Sequence, residues 1–170
     1  GSAAFAQQVL TVTGHRDAFL RKWDAAGNLS WVEKSGGKDE DYASAVALDP
    51  EGHPVFLGTF RSETASFGGI ILTNKFARDN NSLFIVKMNA QGKGLWAQQV
   101  GGASTYDAAS IQTDSAGNIY LVACMARFAN FGVTNLTGYE DILVAKYDAD
   151  GNLAWARKAG GSGYDYGHSL

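Results

Sequence analysis

The chain has 170 residues, enough for one domain with a real core. Charged residues make up 18%, 21 residues are glycine and 2 are proline, a composition that suits short strands joined by tight turns. A net charge of −3 with scattered basic residues excludes an electrostatic footprint for nucleic acid, and no apolar run approaches the roughly 20 residues that span a bilayer.

The first element, Phe-Ala-Gln-Gln-Val-Leu-Thr at 5–11, has the spacing of two later stretches, Phe-Gly-Gly-Ile-Ile-Leu-Thr at 67–73 and Phe-Gly-Val-Thr-Asn-Leu-Thr at 131–137. Next comes Asp-Ala-Phe-Leu-Arg-Lys-Trp-Asp-Ala-Ala-Gly-Asn-Leu-Ser-Trp at 17–31. It predicts a hairpin: a β-rich run through Phe19 and Leu20, a turn in which Gly27 takes positive φ, and a returning strand with Trp31. A Gly-Gly pair ending at Gly37 follows. The segment 45–58, Ala-Val-Ala-Leu-Asp-Pro-Glu-Gly-His-Pro-Val-Phe-Leu-Gly, predicts a second hairpin that turns at 49–52. A long loop carrying the 67–73 piece then leads to the next copy.

The order repeats from there. Lys22, Lys87 and Lys146 each precede a tryptophan (Trp31, Trp96, Trp155) by nine residues, and the lysines are 65 and 59 residues apart. The third copy stops at 168–170, as its first hairpin begins. No stretch holds a helical period. Each copy yields two hairpins, hence four antiparallel strands, at a period near that of propeller repeats. The expected fold is all-β: one domain, 1–170, a β-propeller of about three four-stranded antiparallel blades that ends mid-blade at both termini. Three blades are too few for a ring. Closure is therefore expected either from further blades beyond the chain or from a homo-oligomer, a dimer making six blades.

The pattern Asp-Ala-Phe-Leu-x-Lys-x-Asp-x-x-Gly-Asn-Leu-x-Trp, then Gly-Gly, Asp-Tyr and Val-Ala-Leu-Asp-x-x-Gly, resembles the bacterial β-propeller repeat family over nearly the whole chain. Ser82, Asn89 and Leu95 depart from the pattern in the second copy. The resemblance implies a secreted or cell-surface protein with a binding or structural role. It brings no catalytic motif.

Candidate ligand residues lie where one copy passes into the next, at 37–42, 102–107 and 161–166. Asp41, Tyr42, Tyr106, Asp107, Tyr164, Asp165 and Tyr166 set carboxylates beside tyrosines around the expected axial mouth. Aromatic faces stack and carboxylates accept hydroxyl hydrogen bonds, which suits a protein or glycan ligand. A purely structural role competes with this: Asp41 and Asp165 recur at one repeat position and can cap the inner strand. Trp31, Trp96 and Trp155 are candidate sugar platforms, but their fixed spacing favours packing between blades. The Asp-x-x-Gly turns resemble fragments of calcium loops without the later bidentate carboxylate. The single cysteine, Cys124, excludes an internal disulfide and fits a strand core. No metal, cofactor or catalytic residue is expected. A non-enzymatic interaction module is the leading reading. A lectin-like glycan-binding oligomer is the alternative, and a hydrolase-type propeller, with two carboxylates meeting across the ring, a second alternative.

Overall fold

A computed structural model describes residues 2–5, 8–12, 14–75, 81–102 and 108–170. All regular structure among them is strand: β1 (Ser2–Phe5), β2 (Gln8–Thr11), β3 (Ala18–Trp23), β4 (Leu29–Gly37), β5 (Asp41–Leu48), β6 (Pro54–Phe60), β7 (Thr64–Phe67), β8 (Ile70–Thr73), β9 (Ser82–Met88), β10 (Gly94–Val100), β11 (Ala108–Thr113), β12 (Ile119–Met125), β13 (Phe128–Asn130), β14 (Asn135–Thr137), β15 (Asp141–Tyr147) and β16 (Leu153–Ala159).

One turn chemistry builds the hairpins. At Asp24 the carboxylate Oδ1 accepts the N–H groups of Ala26 and Asn28, at 2.9 and 2.8 Å. The N–H of Gly27, at φ +82°, donates to the Asp24 carbonyl. The same pattern recurs at Asp49, Asn89, Asp114 and Asp148, each with glycine at the fourth position. An acceptor oxygen thus organises the turn before any packing, and only glycine enters the positive-φ corner without strain. Asn89 does this as well as an aspartate, so its departure from the repeat leaves the turn intact.

These hairpins pair into blades. β5-β6-β9-β10 form one four-stranded antiparallel sheet and β11-β12-β15-β16 a second. β3 and β4 are the outer half of a preceding unit. Alternation along the strands assigns each face. In the middle blade both faces are covered: Val55, Leu57, Leu83 and Ile85 point to the third unit, while Phe56, Phe60, Phe84, Val86 and Met88 point to the first. β6 and β9 are therefore buried along their whole length. Among the described residues β15 packs against the middle blade through Leu143, Ala145 and Tyr147, and it alternates between buried and half-buried residues.

The sequence departs from its own pattern in the second unit, and the structure supplies the reason. Asp17 and Asp141 open β3 and β15 beside Lys34 and Lys158, at 3.4 and 2.8 Å. In the middle blade both partners change together, and Gln99 Nε2 donates to Ser82 Oγ at 3.1 Å. A buried carboxylate paired with a part-exposed lysine is replaced by a neutral hydrogen bond, which leaves no orphaned charge.

Two expectations are corrected. The 67–73 piece lies in no open loop: β7 and β8 form a hairpin whose β7 bonds back to the end of the previous unit's outer strand, Ser35↔Phe67, Gly36↔Ser66 and Gly37↔Ala65. β13 repeats this toward Gly101 through two reciprocal N–H···O bonds of 2.9 Å. Three four-stranded sheets result, but the third is the composite β3-β4-β7-β8. The second correction concerns 168–170, expected as an inner strand. It belongs to no sheet.

Candidate functional site

The passage between units begins with Asp41. It is buried, and its N–H donates to the Arg16 carbonyl at 2.9 Å. Its Oδ2 accepts Gly37 N–H at 2.6 Å and Ser62 Oγ–H at 2.8 Å, while Oδ1 accepts the N–H groups of Arg61 and Ser62. Burial pushes this carboxyl up from its ordinary value, against the pull of those donors. Asp165 repeats the arrangement: its N–H meets the Glu140 carbonyl and its Oδ2 accepts Gly161 N–H at 2.7 Å. Both carboxylates are engaged by backbone.

The tyrosines stand at the surface. Tyr42 is exposed and its hydroxyl accepts from Arg16 at 3.0 Å, with the guanidinium 5.8 Å from its ring centroid. Tyr164 lies 6.1 Å from Tyr139, centroid to centroid, and hydrogen bonding with Tyr139 raises its phenol above the ordinary value. Tyr166 is also exposed. The two clusters occupy separate unit junctions. Tyr106 and Asp107 lie outside the described residues.

The repeated tryptophans are joints. Trp31 Nε1–H donates to the Ala90 carbonyl at 2.8 Å, and Trp96 Nε1–H to the Ala149 carbonyl at 3.2 Å. Each indole lies on the glycine of the next unit's outer turn: a Cβ on Gly92 would come within 3.0 Å of the Trp31 ring, and one on Gly151 within 2.7 Å of Trp96. Asp49, Glu51 and His53 gather ligand atoms within 4.8 Å, but the Lys87 ammonium sits 2.8 Å from the Asp49 carboxylate and supplies the positive charge there.

A different site emerges beside β3. β9 bonds β10 on one edge and β6 on the other, whereas among the described strands β3 pairs with β4 alone. The other edge of β3 faces β5. Two hollows follow one another along it, of about 520 Å³ beside His15, Arg16 and Tyr42, and about 370 Å³ beside Leu20, Lys22, Val46, Leu48 and Pro54. Val46 is 54% exposed here, while its repeat equivalent Ile111, pressed against the middle blade, is 3% exposed. Leu48 is 62% exposed. Sequence reasoning missed this groove because Val46 matches a core position of the repeat. The available signal was that the first copy begins at its outer half.

Over 178 aligned positions the chain is 26% identical to an uncharacterised WD repeat-containing protein of Acanthamoeba polyphaga mimivirus, an alignment that covers 86% of this chain and 13% of that protein. It is 22% identical over 142 positions to the regulatory protein FlaEY of Caulobacter vibrioides, covering 83% and 15%. The chain thus spans a small part of the length of these relatives. No family model matches it. The first likeness and the blade-like sheets agree on a β-propeller-type repeat and do not single out a bacterial family.

Proposed function

We propose that the chain is a non-enzymatic interaction module that takes an extended apolar polypeptide segment into the groove between β3 and β5. One observation carries this: Val46 lies open, at a position the repeat otherwise buries, beside an edge of β3 that no described strand pairs. Strand addition satisfies an edge's N–H and C=O groups, and apolar pockets alongside select the side chains. The bound segment takes the place at β3 that β6 holds at β9, antiparallel and apolar. The same proposal sets the module in a secreted or surface-attached bacterial protein, as the repeat pattern implies.

A labelled peptide with the sequence of residues 54–60 and solubilising lysines at its ends tests this by fluorescence anisotropy. Micromolar binding is expected, at least tenfold weaker for Val46→Lys and Leu48→Lys, with thermal stability unchanged because both side chains face solvent. A peptide that does not bind, or binds both variants equally, overturns the reading. Binding of sugars instead, lost in Tyr164→Ala, favours a glycan stacked on Tyr139 and Tyr164, a second reading supported by their paired exposed rings.

A further inference from the structure

The joint between units is made twice within the chain, and its two halves stand separately at the two ends. In the first joint Leu20 and Trp31 pack over Phe84, Val86 and Met88. In the second Ile85 and Trp96 pack over Leu143, Ala145 and Tyr147. Val144 and Trp155 hold the same repeat positions in the third unit. Both are half-buried, and among the described residues no acceptor meets the Trp155 indole N–H.

The complementary half lies on the first unit. Phe19, Arg21 and Trp23 occupy the positions of Phe84, Val86 and Met88, which are fully buried, yet Phe19 and Trp23 are 43% and 45% exposed, with the Arg21 guanidinium 5.8 and 4.2 Å from their ring centroids. The turn at Asp24 matches those that receive Trp31 and Trp96, even to the alanine whose carbonyl accepts the indole: Ala25 corresponds to Ala90 and Ala149. Gly92 and Gly151 lie under indole rings, whereas a Cβ on Gly27 would meet nothing within 4 Å. The chain therefore carries a tryptophan without its turn and a turn without its tryptophan.

We infer that a second copy of this chain docks head to tail, with Trp155 of one copy on the Asp24 turn of the next and Val144 over its Phe19 and Trp23. The contact is heterologous, and two such contacts close a ring of two copies if the rotation permits. Six unit positions result, four complete blades and two outer halves, a count within the four to eight of closed propellers. The terminal loop is already shaped for this: Gly161 and Asp165 repeat the bonds by which Gly37 and Asp41 launch the next unit. The joint shares Phe19 and Trp23 with the lining of the two β3 hollows but not Val46 or Leu48, so the dimer test and the strand-peptide test read different residues.

Light scattering after gel filtration on the full chain tests it. A mass of twice 18.1 kDa is expected. Trp155→Glu weakens association at least tenfold. So does Gly27→Asn, since asparagine tolerates positive φ and its side chain fills the space meant for the indole. Each variant keeps the half-joint that the other lacks, so the two, monomeric alone, associate when mixed. Gly27→Asn sits in open space and keeps the test decisive should Trp155→Glu fail to fold. A monomeric parent overturns the inference, as does a dimer indifferent to both substitutions or a pair of variants that do not complement. A monomer that still binds the strand peptide leaves the groove reading standing and removes this one alone.

Discussion

Gly27 and Gly151 occupy the same corner of the same turn, at φ +82° and +84°, and differ in what lies above them. A side chain at positive φ costs about 1–2 kcal/mol at either. At Gly151 the added Cβ also presses into the Trp96 ring, which is held by its own hydrogen bond to Ala149. Overpacking of that kind adds about 1–3 kcal/mol. Gly151→Ala is therefore expected to destabilise clearly more than Gly27→Ala in urea unfolding of the monomeric Trp155→Glu background, and equal losses would mean the indole contact is slack. Asp49 gives a prediction in pH. Burial alone raises its carboxyl, but hydrogen bonding and charge from Lys87 at 2.8 Å, the His53 amide and the Glu51 side chain outweigh it and bring the group down to about 2. An unfolded aspartate titrates near 3.9. The folded value is depressed, so the stabilisation, about 2 kcal/mol, is present above about pH 4 and lost as pH falls toward 2. In Asp49→Asn that acid loss shrinks, while stability at neutral pH drops because Lys87 is left without its counter-charge. Parallel urea titrations from neutral to acid pH check this, and identical acid profiles would exclude the pair as the source.

At the scale of elements, much was legible. The Asp-x-x-Gly turns, the hairpins they close and the placement of Trp31 and Trp96 between units follow from short-range chemistry and strict spacing. The β7–β8 hairpin was not legible, because its pairing with β4 is backbone to backbone, at Ser35, Gly36 and Gly37, and leaves no side-chain pattern. Gly37 marks the approach only in hindsight, since a Cβ there would run into the Thr64 carbonyl. Asp41 and Asp165 illustrate the limit for the site. Their recurrence pointed both to a ligand and to a cap, and the donors converging on Asp41 account for its capping role. The β3 groove escaped because exposure at Val46 depends on what stands beside it. Repetition predicts which residues share a role, and a neighbour's presence decides whether that role is fulfilled.

For the whole molecule, the middle blade belongs to two cores and couples the units on either side, since β6 and β9 place alternate residues in each. Such coupling predicts that the three units unfold together. If two copies close head to tail, the ends join the same cooperative unit, and stability becomes a function of concentration because the folded dimer is favoured by mass action. A tenfold rise in concentration adds about 1.4 kcal/mol per dimer. Unfolding entropy is about 2.1 cal/mol/K per residue, so for two chains the midpoint is expected to rise by about 2 °C per tenfold. Differential scanning calorimetry over two decades of concentration measures this directly. Trp155→Glu removes the joint and should flatten the dependence. A flat profile in the parent would mean that each chain melts alone, with Trp155 and the Asp24 turn left open to solvent.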